Sequence, residues 1–238
     1  TLAAWRIPVV HPSSVDEYEY FGLWGWALSR YAGAWVAFKA ITETVESGRA
    51  FELAPVPHFT MPAASRDRPD LQYSAREFLT PAIEERMLAR LDAVREFGRR
   101  HPLDRLVNPA PAARIGIISS GKAYLDAMDA LQTGPTAPGD NAAWPTLRHY
   151  KVGLCWPLDI ERLREFAKGL DHILVIEEKA TLIEQQVKDA LFNDAVRATV
   201  SGHRDLNGHV LLPRTGQLNA EKVKEALSRW LEQTVACG

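Results

Sequence analysis

From Arg114 onward, short apolar runs alternate with amphipathic stretches. Ile115 to Ile118 is a four-residue apolar run that ends in Ser119-Ser120-Gly121. Tyr124, Leu125, Met128 and Leu131 then fall on one face of a 3.6-residue period, so the spacing predicts strand, small-residue loop and helix. The step repeats. Tyr150 to Cys155 precedes a helical pattern from about Asp159 to Lys168, and Ile173 to Ile176 precedes one from about Thr181 to Phe192. A fourth run, Val196 to Val200, closes the series. Strands alternating with helices of this length predict an α/β fold: a parallel-rich open sheet with helices on both faces.

The N-terminal half reads less regularly. Ile7 to Val10 is a short β-type run, and Ser13 or Ser14 offers a cap for a helix reaching about Tyr31, with Gly33 near its end. Gly22 and Gly25 interrupt that helix, which predicts a neighbour packed close to its backbone. Ala34 to Ile41 reads as a buried strand. Pro55, Pro57, Pro62 and Pro69 then make a connector. Thr80-Pro81 opens a helix ending near Gly98, with Ile83, Met87, Leu91 and Val94 on one stripe and Arg86, Arg90 and Arg95 facing away. Asn108 to Pro111 separates this helix from the first sheet strand. Further on, Thr181 and Glu184 have the spacing of a capping box, Asn207-Gly208 of a hairpin turn, and Asn219 of a cap for the last helix.

Bulk chemistry narrows the function classes. The 238 residues carry a net charge of −2, which gives no electrostatic reason to expect nucleic acid or an anionic membrane. No apolar run approaches the roughly 20 residues of a membrane span. Two cysteines, Cys155 and Cys237, support neither a disulfide framework nor an iron–sulfur or Cys-based zinc site within the chain, and a cytoplasmic setting is expected. The chain does not begin with Met and is expected to be part of something longer.

Candidate chemistry gathers at strand ends. Ser119, Ser120, Gly121 and Lys122 lie between a strand and a helix, where backbone donors and a lysine could hold an anion. Their spacing matches neither a Walker loop nor a nucleophile elbow. Glu177 and Glu178, followed by Lys179, end the third strand at the edge where open α/β sheets bind ligands or partners. Together these six residues are the candidate ligand or partner edge. Gly139-Asp140-Asn141 resembles the start of a magnesium–diphosphate site but lacks a preceding strand, and reads as a turn. The seven histidines show no metal-ligand spacing. Ser119 or Ser120 with His149, His172 or His203 would make a serine hydrolase, without a motif to support it.

Several stretches carry a family resemblance. Gly25 to Tyr31 (Gly-Trp-Ala-Leu-Ser-Arg-Tyr), Trp35 to Lys39, Glu43 to Ser47, Ile117 to Asp126, Lys151 to Gly153, Trp156 to Leu158 and Val175 to Lys179 resemble, in order, the fused single-chain indolepyruvate ferredoxin oxidoreductases of the 2-oxoacid:ferredoxin oxidoreductase family. That resemblance implies oxidative decarboxylation of aryl-2-oxoacids with thiamine diphosphate, magnesium, coenzyme A and iron–sulfur clusters, and ferredoxin as electron acceptor. It implies three segments: residues 1–60 as the C-terminal part of a pyrimidine-binding-type domain, 61–112 as a connector with a long helix, and 113–238 as a transketolase C-terminal-like domain. The family's cofactor-activating Glu, its diphosphate–magnesium domain and its cysteine motifs have no counterpart here. The resemblance therefore carries over no catalytic residue, and none of these cofactors is expected in the chain. The expectation is a non-catalytic fragment whose partners are the remaining domains of the parent enzyme, ferredoxin through that enzyme, and a second copy in a homodimer. The alternative is a freestanding binding or assembly module of the same fold.

Overall fold

The computed structural model describes residues 2–52, 54–62, 70–72, 74–134 and 144–236. The chain divides into two compact units, residues 1–103 with 153–159, and residues 104–152 with 160–238.

In the first unit, strand β1 (Val9–Val10) lies between β2 (Ala37–Phe38), to which it is parallel, and β6 (Leu154–Trp156), to which it is antiparallel. Helix α1 (Tyr18–Ala32) starts where the Glu17 carboxylate accepts the Ser13 amide at 2.8 Å. It stops at Gly33, whose φ of 64° is the left-handed conformation glycine adopts without penalty. The apolar face of α1, with Phe21, Trp24 and Leu28, packs against Val94 and Phe97 of α3 (Ala82–Arg100). Trp24 is fully buried, and its indole N–H donates to the His101 carbonyl at 2.6 Å. A short helix, α2 (Thr42–Val45), follows β2.

Several sequence expectations change in this unit. The buried strand at Ala34 to Ile41 is only the two-residue β2, at a sheet edge, and Trp35 beside it is 84% exposed. Arg86 does not face away: it is buried and paired with Glu77. Of the two α1 glycines, Gly25 has Val36 in contact range, whereas Gly22 faces open space. Helix α3 runs past Gly98 to Arg100, and its N-cap position is Pro81.

The second unit holds a five-stranded sheet in the order β3-β5-β4-β7-β8. Strands β4 (Ile115–Ser120), β5 (Leu147–Val152), β7 (His172–Ile176) and β8 (Thr199–Ser201) are parallel, and the edge strand β3 (Arg105–Asn108) is antiparallel to β5. This is the open, parallel-rich α/β arrangement that the alternation of strands and helices predicts. Alternate residues of β4 face opposite ways. Ile117 joins the core formed with α4 (Lys122–Gln132) and α7 (Ala220–Ala236). Gly116 faces α5 (Ile160–Ala167), and a Cβ there would lie 2.7 Å from Phe166 and 2.5 Å from Leu170. Helix α6 (Leu182–Leu191) packs beside α5, so both faces are covered.

Two expectations are corrected here. Residues 105–108, assigned to the connector, form β3. The run from Tyr150 to Cys155 is not one strand: β5 ends at Val152, and Leu154–Trp156 belongs to the first unit as β6. Gly153 is the break. A Cβ there would come within 2.7 Å of Leu103 and 3.0 Å of Phe21, so only glycine fits. Asn219 caps α7 as expected, accepting the Lys222 amide at 3.0 Å. At Asn207-Gly208 the chain reverses between the bridged residues Arg204 and Val210, and Gly208 has φ 84°.

Candidate functional site

The C-terminal ends of β4, β5 and β7 lie on one edge of the second unit's sheet, because the three strands are parallel and in register. Ser119, Ser120, Gly121, Lys122, Glu177 and Glu178 all sit there. Trp156, just beyond the end of β5, belongs to β6 in the other unit.

Each side chain on that edge already has work to do. Ser119, fully buried on the α4 face of β4, lies with Oγ 2.7 Å from His149 Nε2 on β5. His149 is 1% exposed, and burial lowers its pKa from 6.5 to about 4, so it is neutral at pH 7. Its Nδ1 has no hydrogen-bond partner among the described residues. A Ser–His pair working as a nucleophile and base needs a carboxylate on that nitrogen and access for a substrate. This pair sits in the core without either.

Tyr124 from α4 stacks near His149, with centroids 5.5 Å apart, and lies under the buried Lys151, whose Nζ is 4.6 Å from the ring centroid. Gly121 holds φ 57° between β4 and α4. Lys122 is committed to groups of the chain itself. Its Nζ donates to both Asp126 oxygens at 2.8 Å and to the Leu218 carbonyl at 3.0 Å. Burial raises the Asp126 pKa, Lys122 opposes that shift, and the nearby charge of Glu178 adds to it. A diphosphate at this edge would meet the carboxylates of Asp126 and Glu178, with Lys122 already committed to Asp126 and Lys151 buried over the Tyr124 ring. The donor set does not fit that group.

Glu177 is a helix cap. Its two oxygens accept the amides of Ile183 and Glu184, both at 2.9 Å, which satisfies the first turn of α6. This corrects the capping box expected at Thr181 and Glu184. Thr181 makes no side-chain cap, and Glu184 is drawn inward to Lys188 (2.5 Å) and the His203 amide (2.8 Å). Glu178 pairs with Lys179 at 3.6 Å. Gly139-Asp140-Asn141 lies outside the described residues. Among the described residues, no group of three or more His, Cys, Asp or Glu is placed to hold a metal, and no helix is long and apolar enough to cross a membrane.

The edge residues that sequence reasoning did not single out are Tyr124, Asp126 and Lys151; His149 was named there only as one of three histidines that could pair with Ser119 or Ser120, and it is the one that meets Ser119. One signal was available: Lys122 and Asp126 are four apart on a predicted helix. The alternation of His149 and Lys151 with Tyr150 also places both on one face of β5, but nothing local says which.

Comparison with known proteins places this edge inside a family match. Residues 105–237 match the family model described as the indolepyruvate oxidoreductase domain. The chain belongs to that family. Curated relatives align along nearly the whole length. The indolepyruvate oxidoreductase subunit IorA of Pyrococcus abyssi is 24% identical over 234 residues, covering 95% of this chain and 33% of the relative. Its counterpart from Pyrococcus horikoshii is 23% identical over the same extent. The chain thus spans about a third of the length of the curated relatives it matches. Among solved structures, partial likenesses are to the 2-oxoglutarate:ferredoxin oxidoreductase from Magnetococcus marinus (TM-score 0.41, 15% identity, 66% of this chain and 24% of that one) and to a split-gene transketolase described as an inactive β4 tetramer (TM-score 0.37, 16% identity, 54% and 41%).

Proposed function

We propose that this chain is a non-catalytic part of a thiamine-diphosphate-dependent indolepyruvate:ferredoxin oxidoreductase. In the whole enzyme an aryl-2-oxoacid is decarboxylated oxidatively, with coenzyme A accepting the acyl group and ferredoxin the electrons. Thiamine diphosphate, magnesium and the iron–sulfur clusters are held elsewhere in that enzyme. Residues 1–60 are the end of its pyrimidine-binding-type domain, and 113–238 are a transketolase C-terminal-like domain that supports assembly. The setting is cytoplasmic, and the chain pairs with a second copy of itself.

The observation that carries this reading is the alignment of nearly the entire chain, in order, with one third of each IorA relative. The strand-end chemistry is consistent with it: Lys122, Glu177 and Ser119 hold the fold's own groups. Two measurements test the reading. The full-length gene product should reduce ferredoxin in the presence of indolepyruvate and coenzyme A; no activity with any aryl-2-oxoacid would overturn the assignment. Calorimetry of the 238-residue chain with thiamine diphosphate and magnesium should give no binding isotherm. A dissociation constant tighter than about 10 μM, or roughly −7 kcal/mol, would overturn the non-catalytic role.

A further inference from the structure

Beside β3 and α5, on the sheet face opposite α4, the second unit carries a cleft of about 490 Å³. Helix α5 lies over β4, where Phe166 and Leu170 close on Gly116. Toward the edge strand β3 the face stays open. Leu106 from β3 and Pro109 and Pro111 from the turn after it form an apolar wall. Arg162, Glu165 and Lys168 run along the α5 side, and Arg148 of β5 lines the cleft between them.

Arg148 is the unusual member. It is 7% exposed, and its hydrogen bonds go to backbone carbonyls: Nη1 to Phe166 at 2.5 Å and Lys168 at 2.9 Å, Nη2 to Pro111 at 3.2 Å. Its Nε–H has no acceptor among the described residues, and none of their carboxylates pairs with it. Burying a guanidinium is unfavourable unless a counter-charge accompanies it. Carbonyl dipoles replace the lost water but bring no net charge. Of the other charged side chains lining the cleft, Arg162 and Lys168 are cationic and Glu165 is anionic.

We propose that this cleft binds a small organic anion, a carboxylate or phosphate on an apolar body. Arg148 supplies the buried charge, Arg162 and Lys168 meet the anionic head at the mouth, and Leu106, Pro109 and Pro111 pack against the apolar body. Neither the family match nor the strand-end edge assigns a role to this face.

The test is a ¹⁵N NMR titration of the full 238-residue chain with phenylacetate, phenyl phosphate and inorganic phosphate. The Arg148 Nε–Hε resonance and the amides of residues 106 and 162–168 should shift saturably. Both phenyl probes should bind about tenfold or more tighter than inorganic phosphate, and the tighter of the two identifies the head group. The double variant Arg162→Glu/Lys168→Glu should weaken binding about tenfold or more, while Glu165→Gln should strengthen it. Glu165 and Lys168 are exposed and Arg162 is half-buried, so thermal melts should stay close to wild type; if the double variant fails to fold, Glu165→Gln carries the test alone. Linear shifts up to about 10 mM ligand would overturn the site. So would unchanged affinity in a well-folded double variant, or weaker binding in Glu165→Gln. Equal affinity for inorganic phosphate would refute the apolar subsite.

Discussion

His149 is buried against Ser119 and Tyr124, and the same burial that fills the core keeps it uncharged. In the unfolded chain it takes up a proton near pH 6.5, whereas in the fold it does so only near pH 4. Between those values the unfolded state binds more protons, so stability is full above about pH 6.5 and is lost as pH falls toward 4. A shift of this size is worth about 3 kcal/mol at most. Asp126, whose pKa is raised, acts in the opposite sense and at the acid end. Urea unfolding at pH 7.0 and 4.5 should therefore show a clear loss for wild type and a smaller one for His149→Gln; identical losses would refute the assignment. Glu177 supports a second prediction. Glu177→Ala strips the acceptors from two amides in the first turn of α6 and should cost about 1–2 kcal/mol, with Glu177→Gln retaining part of that. The same urea series measures it.

Two glycines in regular elements should respond to the same substitution with opposite signs. Gly22 is in the interior of α1, and a methyl group there would meet nothing within 4 Å. Gly22→Ala should stabilise by about 0.5–1 kcal/mol, because glycine surrenders more backbone entropy in a helix. Gly116 is in β4, and its Cβ would press on the buried side chains of Phe166 and Leu170. Gly116→Ala should destabilise by about 1–3 kcal/mol through overpacking. Denaturation midpoints decide both. A loss of stability with Gly22→Ala would mean that another surface already fills the open space at Gly22.

For the whole molecule, the first unit presents large apolar side chains to solvent. Trp26 is 69% exposed, Trp35 84% and Trp5 61%. Trp26 and Trp35 line one groove with Phe38, at the edge strand β2. Such patches favour association, and a two-fold pair covers the same patch on both copies. Light scattering after gel filtration should give twice the chain mass at high concentration. The double variant Trp26→Ser/Trp35→Ser should shift that mass toward the monomer without lowering the melting temperature of the dilute protein, since neither ring is in the core. A monomeric mass for wild type over a wide concentration range would refute the pairing.

The features legible from sequence are those set within a few residues. The strand–helix alternation from Ile115 to Val200, the left-handed stop at Gly33 and the Asn219 cap each depend on local periodicity or on one residue's backbone preference. The family resemblance was legible too, in the order of short motifs. Tertiary structure decided the rest. Leu154–Trp156 leaves the main sheet for β1 because Gly153 alone tolerates the contact with Leu103 and Phe21. Arg86 is buried by its pairing with Glu77, not exposed by its place on α3. Ser119 meets His149 across 30 positions of chain, and Arg148 is buried under carbonyls from Pro111, Phe166 and Lys168. Helical and strand periods say which side of an element a residue occupies. They do not say which element covers that side. That choice is made by strand order and register, which minimise exposed apolar area over the whole sheet at once.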